Sequence, residues 1–425
     1  MSSFYIKIKK HSRFIRFHTP GHSGRLPKAL IKTDITELFY SDNLLNPKDG
    51  IKKLEKKLSS IYLSDSAFIS ANGATNSLMT AIYALKDKGA FLIVGDAHSS
   101  VYNALRVFNL QAYYISDIKS PEDIPADVQT VIITSPNYFG CVKDIKRQKE
   151  LIKDKFIILD MSHGSHFIFS QKDLFESSTL CDLVVCSLHK TLPVATGGAV
   201  LLSYNKDLSQ RCFEARKLLH STSPSYIVLS SISRAFEILE KKGEKLYQKV
   251  KQSIDIFKRK SQKIGVECIE NDDYTRLVIA TKYEGGQIEK ALVEKGVVPE
   301  MSYLNQVIFI VTPYNCGRLF RLYRALKKVL KKPFSLYLGQ DTLPQTDKAV
   351  KLEFGKDYEI VELERALGRK AYKGIGLYLP RTPLIRPAET ITREKLDIIL
   401  NNLDRCFGLD NGGIAVISYK DGGRK

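Results

Sequence analysis

Two residues of opposite charge close apolar segments of this chain, and they are the pair from which chemistry is most readily built. Asp160 ends FIILD (156–160), and Lys190 follows DLVVCS (182–187) within SLHKTLP (187–193). Both apolar runs read as buried strands, so a lysine among Ser187, His189 and Thr191 is badly placed for a solvated charge. A buried ammonium is costly unless it is paired or chemically used. One use accounts for both residues: an imine between the lysine and pyridoxal phosphate, with the carboxylate keeping the pyridine nitrogen protonated so that the ring accepts electrons. Taken alone, an aspartate at a strand end and a lysine in a loop fit ordinary structure equally well.

The neighbouring segments supply what that use needs. A phosphate cup requires small residues, backbone N–H groups and hydroxyls at a helix N-terminus. ANGATNSLMTAIYAL (71–85) offers Gly73 and Ala74 for close approach, Thr75 for a hydroxyl, and an apolar-periodic helix behind them. As a bare motif this is also what any capped helix looks like. His98, in GDAHSSVYNAL (95–105), lies just past another apolar run. An imidazole there has the flat face to stack on a pyridine ring and the pKa to handle protons. A purely structural histidine is the competing reading.

The elements that must position these residues are short strands alternating with helices. AFLIVGD (90–96), AYYIS (112–116), TVIITS (130–135), FIILD, DLVVCS and GGAVLLS (197–203) are near-continuously apolar. Such runs predict an α/β fold with a mostly parallel sheet covered by helices, and ligands beyond the carboxyl ends of the strands. A helix is expected over 51–62, helical periodicity over 224–264, strands at 276–281 and 307–312, a helix over 318–330 and a last one near 393–407. The domain reading is an arm over 1–50, a large domain over 51–265 and a smaller α+β region over 266–425.

Composition bounds the function classes. Lys+Arg 65 against Asp+Glu 46 gives +19, yet KKLEKK (52–57), EKKGEKLYQKVK (240–251) and KKVLKK (327–332) interleave cations with apolar residues at helical spacing. They read as wet faces of amphipathic helices, and no nucleic-acid motif accompanies them. Seven scattered cysteines without a Cys-x-x-Cys fit reduced thiols in a cytoplasmic protein, with no zinc site. No apolar run reaches the roughly 18–20 residues needed to cross a bilayer, and no secretory signal is expected at the start.

Beyond these readings, the chain resembles the ornithine/lysine/arginine decarboxylase family, pyridoxal-phosphate-dependent enzymes of fold type I. The stretches that carry the resemblance are FHTPGHSG (17–24), DITELFYSDNLLNP (34–47), NGATN (72–76), DAHSSVYNAL (96–105), TSPNYFG (134–140), LDMSHGSHF (159–167), SLHKTLP, STSPSY (221–226), DDYTRLVIA (272–280) and YLPRTPLIRPAETIT (378–392). The resemblance implies that Lys190 is the imine lysine, Asp160 the partner of the pyridine nitrogen and His98 the stacking residue. It assigns the phosphate to Ala74, Thr75, Ser187 and His189, and lines the ring with Ser162 and His163. Thr222 would reach the phosphate of a neighbouring subunit, which makes a homodimer the minimum active unit. The implied reaction releases carbon dioxide from lysine, arginine or ornithine and leaves a diamine or polyamine precursor. An aminotransferase or lyase on another amino acid, or a non-catalytic regulatory relative, are the alternatives. His166 has no chemical role in this scheme and reads as structural. The chain reads as a short member without the N-terminal wing that relatives often carry.

Several positions depart from the family pattern. Ser99 stands where relatives carry lysine after the stacking histidine, Asn43 and Tyr303 where acids are common, and Arg381 where glycine is usual. These changes subtract acids or add cations, whereas a pocket for a cationic side chain should be acidic. Either the substrate is less basic than the family name suggests, or a single carboxylate reads its tail. Asp42, Glu300 and Glu389 are the candidates for that carboxylate. Peripheral loop variation is the competing account.

Overall fold

The apolar runs fold as strands because they have no polar face to present. In chain order these are β1 (Ser66–Ser70), β2 (Ala90–Val94), β3 (Ala112–Ile115), β4 (Val128–Thr134), β5 (Phe156–Asp160), β6 (Leu183–Cys186) and β7 (Ala199–Ser203). Every residue of β2, β6 and β7 is buried. The computed structural model describes residues 15–17, 42–337, 346, 348–355, 357–377 and 383–418. The stretch HTPGHSG (18–24), most of the expected arm and Arg381 lie outside the described residues.

Helices α1 (Gly73–Ala84), α2 (Ser99–Val107) and the 37-residue α3 (Tyr226–Gln262) belong to the same framework. With an edge strand β8 at Val350–Leu352, the strands form an eight-stranded sheet in the order β8-β3-β2-β4-β5-β6-β7-β1. Strand β2 is parallel to both β3 and β4, whereas β8, β7 and β1 pair antiparallel with their neighbours. At the centre, Ser135 N–H donates to the Asp160 carbonyl at 3.1 Å and Met161 N–H to the Val185 carbonyl at 2.9 Å. Carboxyl end therefore lies beside carboxyl end, as parallel strands require. All six strands expected in this sheet form; β1 and β8, at the sheet's edges, were not anticipated.

By compactness the chain falls into two units, one of residues 1–77, 135–145 and 160–344, the other of 78–134, 146–159 and 345–425. The first unit also holds a four-stranded antiparallel sheet made of Glu267–Ile269, Arg276–Ala280, Met301–Tyr303 and Gln306–Ile310. In the second unit the last helix spans Arg393–Leu400 and not 393–407. Asn401 and Asn402 are weak helix formers, and the Asn402 side chain donates to the Ile398 carbonyl at 2.9 Å, closing the last turn. The chain then extends, and Cys406–Phe407 pairs antiparallel with Gly376–Leu377. Among the described residues no helix is long and apolar enough to cross a membrane.

The lysine-rich stretches are indeed wet faces, with Lys52, Lys53, Lys56, Lys241, Lys242, Lys245, Lys249, Lys327, Lys328 and Lys331 exposed. One residue inside them is not: Glu55 is buried, bound by Arg216 Nη1 and accepting from Ile69 N–H at 3.1 Å. His166 and Asp273 form a second buried pair. Both are fully enclosed, with His166 Nε2 3.1 Å from Asp273 Oδ1, which also accepts from Thr275 N–H at 2.9 Å and Thr275 Oγ1 at 2.7 Å. Burial alone would raise the Asp273 carboxyl, but His166, Arg276 and the Thr275 hydroxyl together hold it below its ordinary value. Asp273→Asn is therefore expected to lower unfolding free energy by about 1–3 kcal/mol at neutral pH. A depressed folded-state pKa contributes stability above the unfolded carboxyl value near 3.9 and loses it as pH falls through the folded one. Urea midpoints measured for both proteins should thus converge as the pH is lowered below about 4; a constant gap would contradict this role.

Candidate active site

The carboxyl ends of β5 and β6 carry the two residues with which the sequence argument began. Asp160 is the last residue of β5 and is 3% exposed; its Oδ1 accepts from Ser162 N–H at 3.1 Å and Ser162 Oγ at 2.5 Å. After β6, Ser187 leads into the single helical turn Leu188–Thr191, which bears His189 and Lys190. Lys190 Nζ lies 2.9 Å from His163 Nε2, and Arg276 Nη2 lies 2.8 Å from His163 Nδ1. The Tyr138 ring packs on His163 at 4.3 Å between centroids, with Lys190 Nζ 5.6 Å from the Tyr138 centroid. Burial holds the Lys190 amine below the ordinary lysine range and Arg276 acts in the same direction, while Asp160 and Glu300 oppose it. A lysine amine whose pKa is lowered gives up its proton more readily and is to that extent better suited to act as a nucleophile or base.

The expected phosphate residues converge through one glycine pair. Gly73, at φ +79° where only glycine is unstrained, donates its N–H to the Gly197 carbonyl at 2.7 Å as α1 begins. His189 N–H donates to the next carbonyl, Gly198, at 3.2 Å, and the His189 ring lies 3.1 Å from the same oxygen. Ala71 N–H donates to His220 Nε2 at 3.1 Å, and the Asn76 side chain to the Leu219 carbonyl at 2.9 Å, which brings the STSPSY loop alongside. Ala74, Thr75, Ser187, His189 and Thr222 therefore share one neighbourhood of the first unit. Thr75 and Thr222 are exposed there, Ala74 and Ser187 buried.

His98 belongs to the second unit and is not among the residues gathered in the first. It is the N-cap of α2, its Nδ1 accepting from Ser100 N–H at 3.2 Å and lying 2.8 Å from Ser100 Oγ. Ser99, the first residue of that helix, lines a cavity of about 230 Å³ with Tyr102, Asn103 and Lys373.

The three candidate carboxylates separate cleanly. Asp42 accepts from the N–H groups of Asn43, Lys48, Asp49 and Ile51, all at 2.9 Å, and so is spent on holding its own loop. Glu389, in the second unit, takes Lys395 Nζ at 2.5 Å and Arg386 Nη1 at 3.3 Å. Glu300 is 6% exposed and near enough to Lys190 to act on its amine. Tyr303, where an acid was expected, packs its ring against Phe139 at 5.6 Å.

Two members of this cluster escaped the sequence argument. Tyr138 sits in the loop after β4, within TSPNYFG (134–140), and was given no role. Arg276 did leave a signal: it opens the otherwise apolar strand RLVIA and is 1% exposed. A family model described as "Orn/Lys/Arg decarboxylase, major domain" matches residues 118–281. That stretch carries Asp160, His163, Lys190, Thr222 and Arg276. Over that stretch the chain is similar to the Orn/Lys/Arg decarboxylases. Among curated relatives it is 27% identical to the uncharacterized protein YaaO of Bacillus subtilis, over 89% of each chain. It is 25% identical to the arginine decarboxylase of the same organism, over 94% of this chain and 93% of the other. Of solved structures, the Francisella novicida lysine decarboxylase aligns with a TM-score of 0.74 at 17% identity, covering 92% of this chain and 75% of that one. The Sphingomonas wittichii serine palmitoyltransferase aligns at 0.61 and 15% identity, covering 75% and 89%. These likenesses show the fold, an α/β framework of fold type I; the strand pattern predicts the α/β framework and the resemblance implies its type.

Proposed function

We propose that this protein is a pyridoxal-phosphate-dependent decarboxylase of a basic amino acid, of the Orn/Lys/Arg decarboxylase family, acting as a homodimer in a compartment that keeps its thiols reduced. The observation that carries the reading is the Lys190 amine, held low in pKa beside a buried carboxylate at the adjacent strand end. The residues fit the cofactor on independent grounds. Gly73 leaves open space where a Cβ would stand, at the start of a helix whose first N–H groups need an acceptor. When bound, pyridoxal phosphate supplies an electron-poor ring that accepts the pair left by departing carbon dioxide. Asp160 would hold the proton on its ring nitrogen, Lys190 would supply the amine, and Ala74, Thr75, Ser187 and His189 would hold its phosphate. Ser162 and His163 would line it, with His98 stacking over it and Thr222 reaching the partner's phosphate.

Glu300 is the carboxylate best situated to read a cationic side chain, since of the three candidates it is the one that acts on the Lys190 amine. Glu300→Gln is accordingly expected to raise KM for the preferred basic amino acid about tenfold or more, the worth of a hydrogen-bonded charge contact, and to leave a neutral amino acid unaffected. Steady-state assays of lysine, arginine, ornithine and a neutral amino acid, reading both amine and carbon dioxide, test the whole proposal. Release of a keto acid without carbon dioxide would overturn it.

A further inference from the structure

The two contacts of His163 fix the protonation of Lys190 more tightly than either does alone. A guanidinium has five donors and no acceptor, so at 2.8 Å from Arg276 Nη2 the His163 Nδ1 must accept. A neutral imidazole that accepts at Nδ1 carries its proton on Nε2 and donates there. The atom 2.9 Å away is Lys190 Nζ, and an ammonium, with three donors and no lone pair, has nothing with which to accept. The opposite polarity would require lone pairs on both ring nitrogens, an imidazolate. A doubly protonated ring would set an N–H against the guanidinium.

We propose that Arg276 is a positioning residue which, through the Nε2–H tautomer of His163, holds Lys190 as a neutral amine. The other groups that act on Lys190 are Asp160 and Glu300, which favour the ammonium form, and Arg276 itself, which disfavours it; the Tyr138 ring lies alongside. Burial disfavours the ammonium, and the two carboxylates pull the other way. The hydrogen bond donated by His163 opposes that pull by engaging the lone pair that only the amine possesses. Arg276 is a costly residue to enclose, with Nε and Nη1 lacking hydrogen-bond partners. Orienting His163 gives a buried arginine at the head of an apolar strand a function that packing does not.

This inference rests on the reading of Lys190 as the cofactor's lysine, but its test needs no cofactor. The full chain, freed of pyridoxal phosphate, is treated with formaldehyde and cyanoborohydride across a pH series, and methylation of Lys190 is followed by peptide mass spectrometry. Arg276→Lys, which keeps a donor facing Nδ1, should retain the wild-type midpoint. His163→Gln should retain it too, because its amide accepts at one atom and donates at the other without titrating. Arg276→Met and His163→Phe should both move the midpoint up by about one pH unit, a tenfold drop in the amine fraction on the acid limb. Should the Phe variant fail to unfold cooperatively, His163→Asn, too short to span both partners, replaces it. A shift in Arg276→Met with none in His163→Phe or His163→Asn would reduce the effect to charge repulsion and overturn the relay; so would a shift in His163→Gln. A wild-type chain that stays colourless with pyridoxal phosphate would instead overturn the cofactor reading and leave the methylation result standing.

Discussion

Lys190→Ala is expected to lower amine formation by on the order of 10⁴-fold or more, the scale seen when an enzyme loses its covalent nucleophile. The reason is local. Within this cluster the other nitrogen bases are already committed: His163 to Arg276 and Lys190, and the His189 ring to the Gly198 carbonyl. Arg276 cannot deprotonate. The Ser187 hydroxyl is fully buried. No neighbour is therefore prepared to substitute. Truncation removes an amine that contacts one imidazole and little else polar, so the fold should survive. The check is threefold: carbon dioxide release from a basic amino acid, the visible absorption that wild-type protein develops with pyridoxal phosphate, and the urea midpoint. Loss of the first two with the third unchanged is the expected result. Retained absorption in the variant would mean that another amine captures the aldehyde.

What the sequence made legible here, and what it hid, follows from how far apart partners lie along the chain. Asp160 and Lys190 were visible because each ends a run of residues with no polar face, so the first polar residue after the run had to be at the strand's carboxyl end. Gly73 was singled out because a residue without a side chain permits close approach at a helix start, and it does open α1, at φ +79°. The helix over 226–262 announced itself by period alone. By contrast, Arg276 and His163 are 113 residues apart and His166 and Asp273 are 107 apart, and no local pattern pairs them. Glu55 was hidden by company: it lies within KKLEKK, yet it falls one turn after Ile51 and three residues before Leu58, both buried. Spacing assigns it to the core face, and only the arrival of Arg216 makes a glutamate tolerable there. The three acids proposed for substrate recognition were equivalent as letters. They became distinct only with the structure, which ties Asp42 to four backbone N–H groups and Glu389 to two cations, and sets Glu300 where it acts on the Lys190 amine.

Asp160→Ala carries the second large effect, and it should fall on turnover and not on cofactor retention. The carboxylate is buried, and one oxygen is fixed by two bonds from Ser162, so its position is set before any ligand arrives. Preorganised charge of this kind acts where charge develops in the reaction, and removing one such group costs on the order of 10²–10³-fold in kcat. Retention depends on different residues, those around the Gly197–Gly198 pair and Lys190, none of which bonds to Asp160. The variant also removes a field that favours the ammonium form of Lys190. The Lys190 amine fraction at a given pH should therefore rise, so a loss of activity cannot be assigned to a poorer nucleophile. Titrating the apoprotein with pyridoxal phosphate by absorption, and measuring kcat at saturation, separates the two effects. Near-equal, modest losses in both would place Asp160 among the residues that merely build the pocket, and would remove the electronic half of the argument for this site.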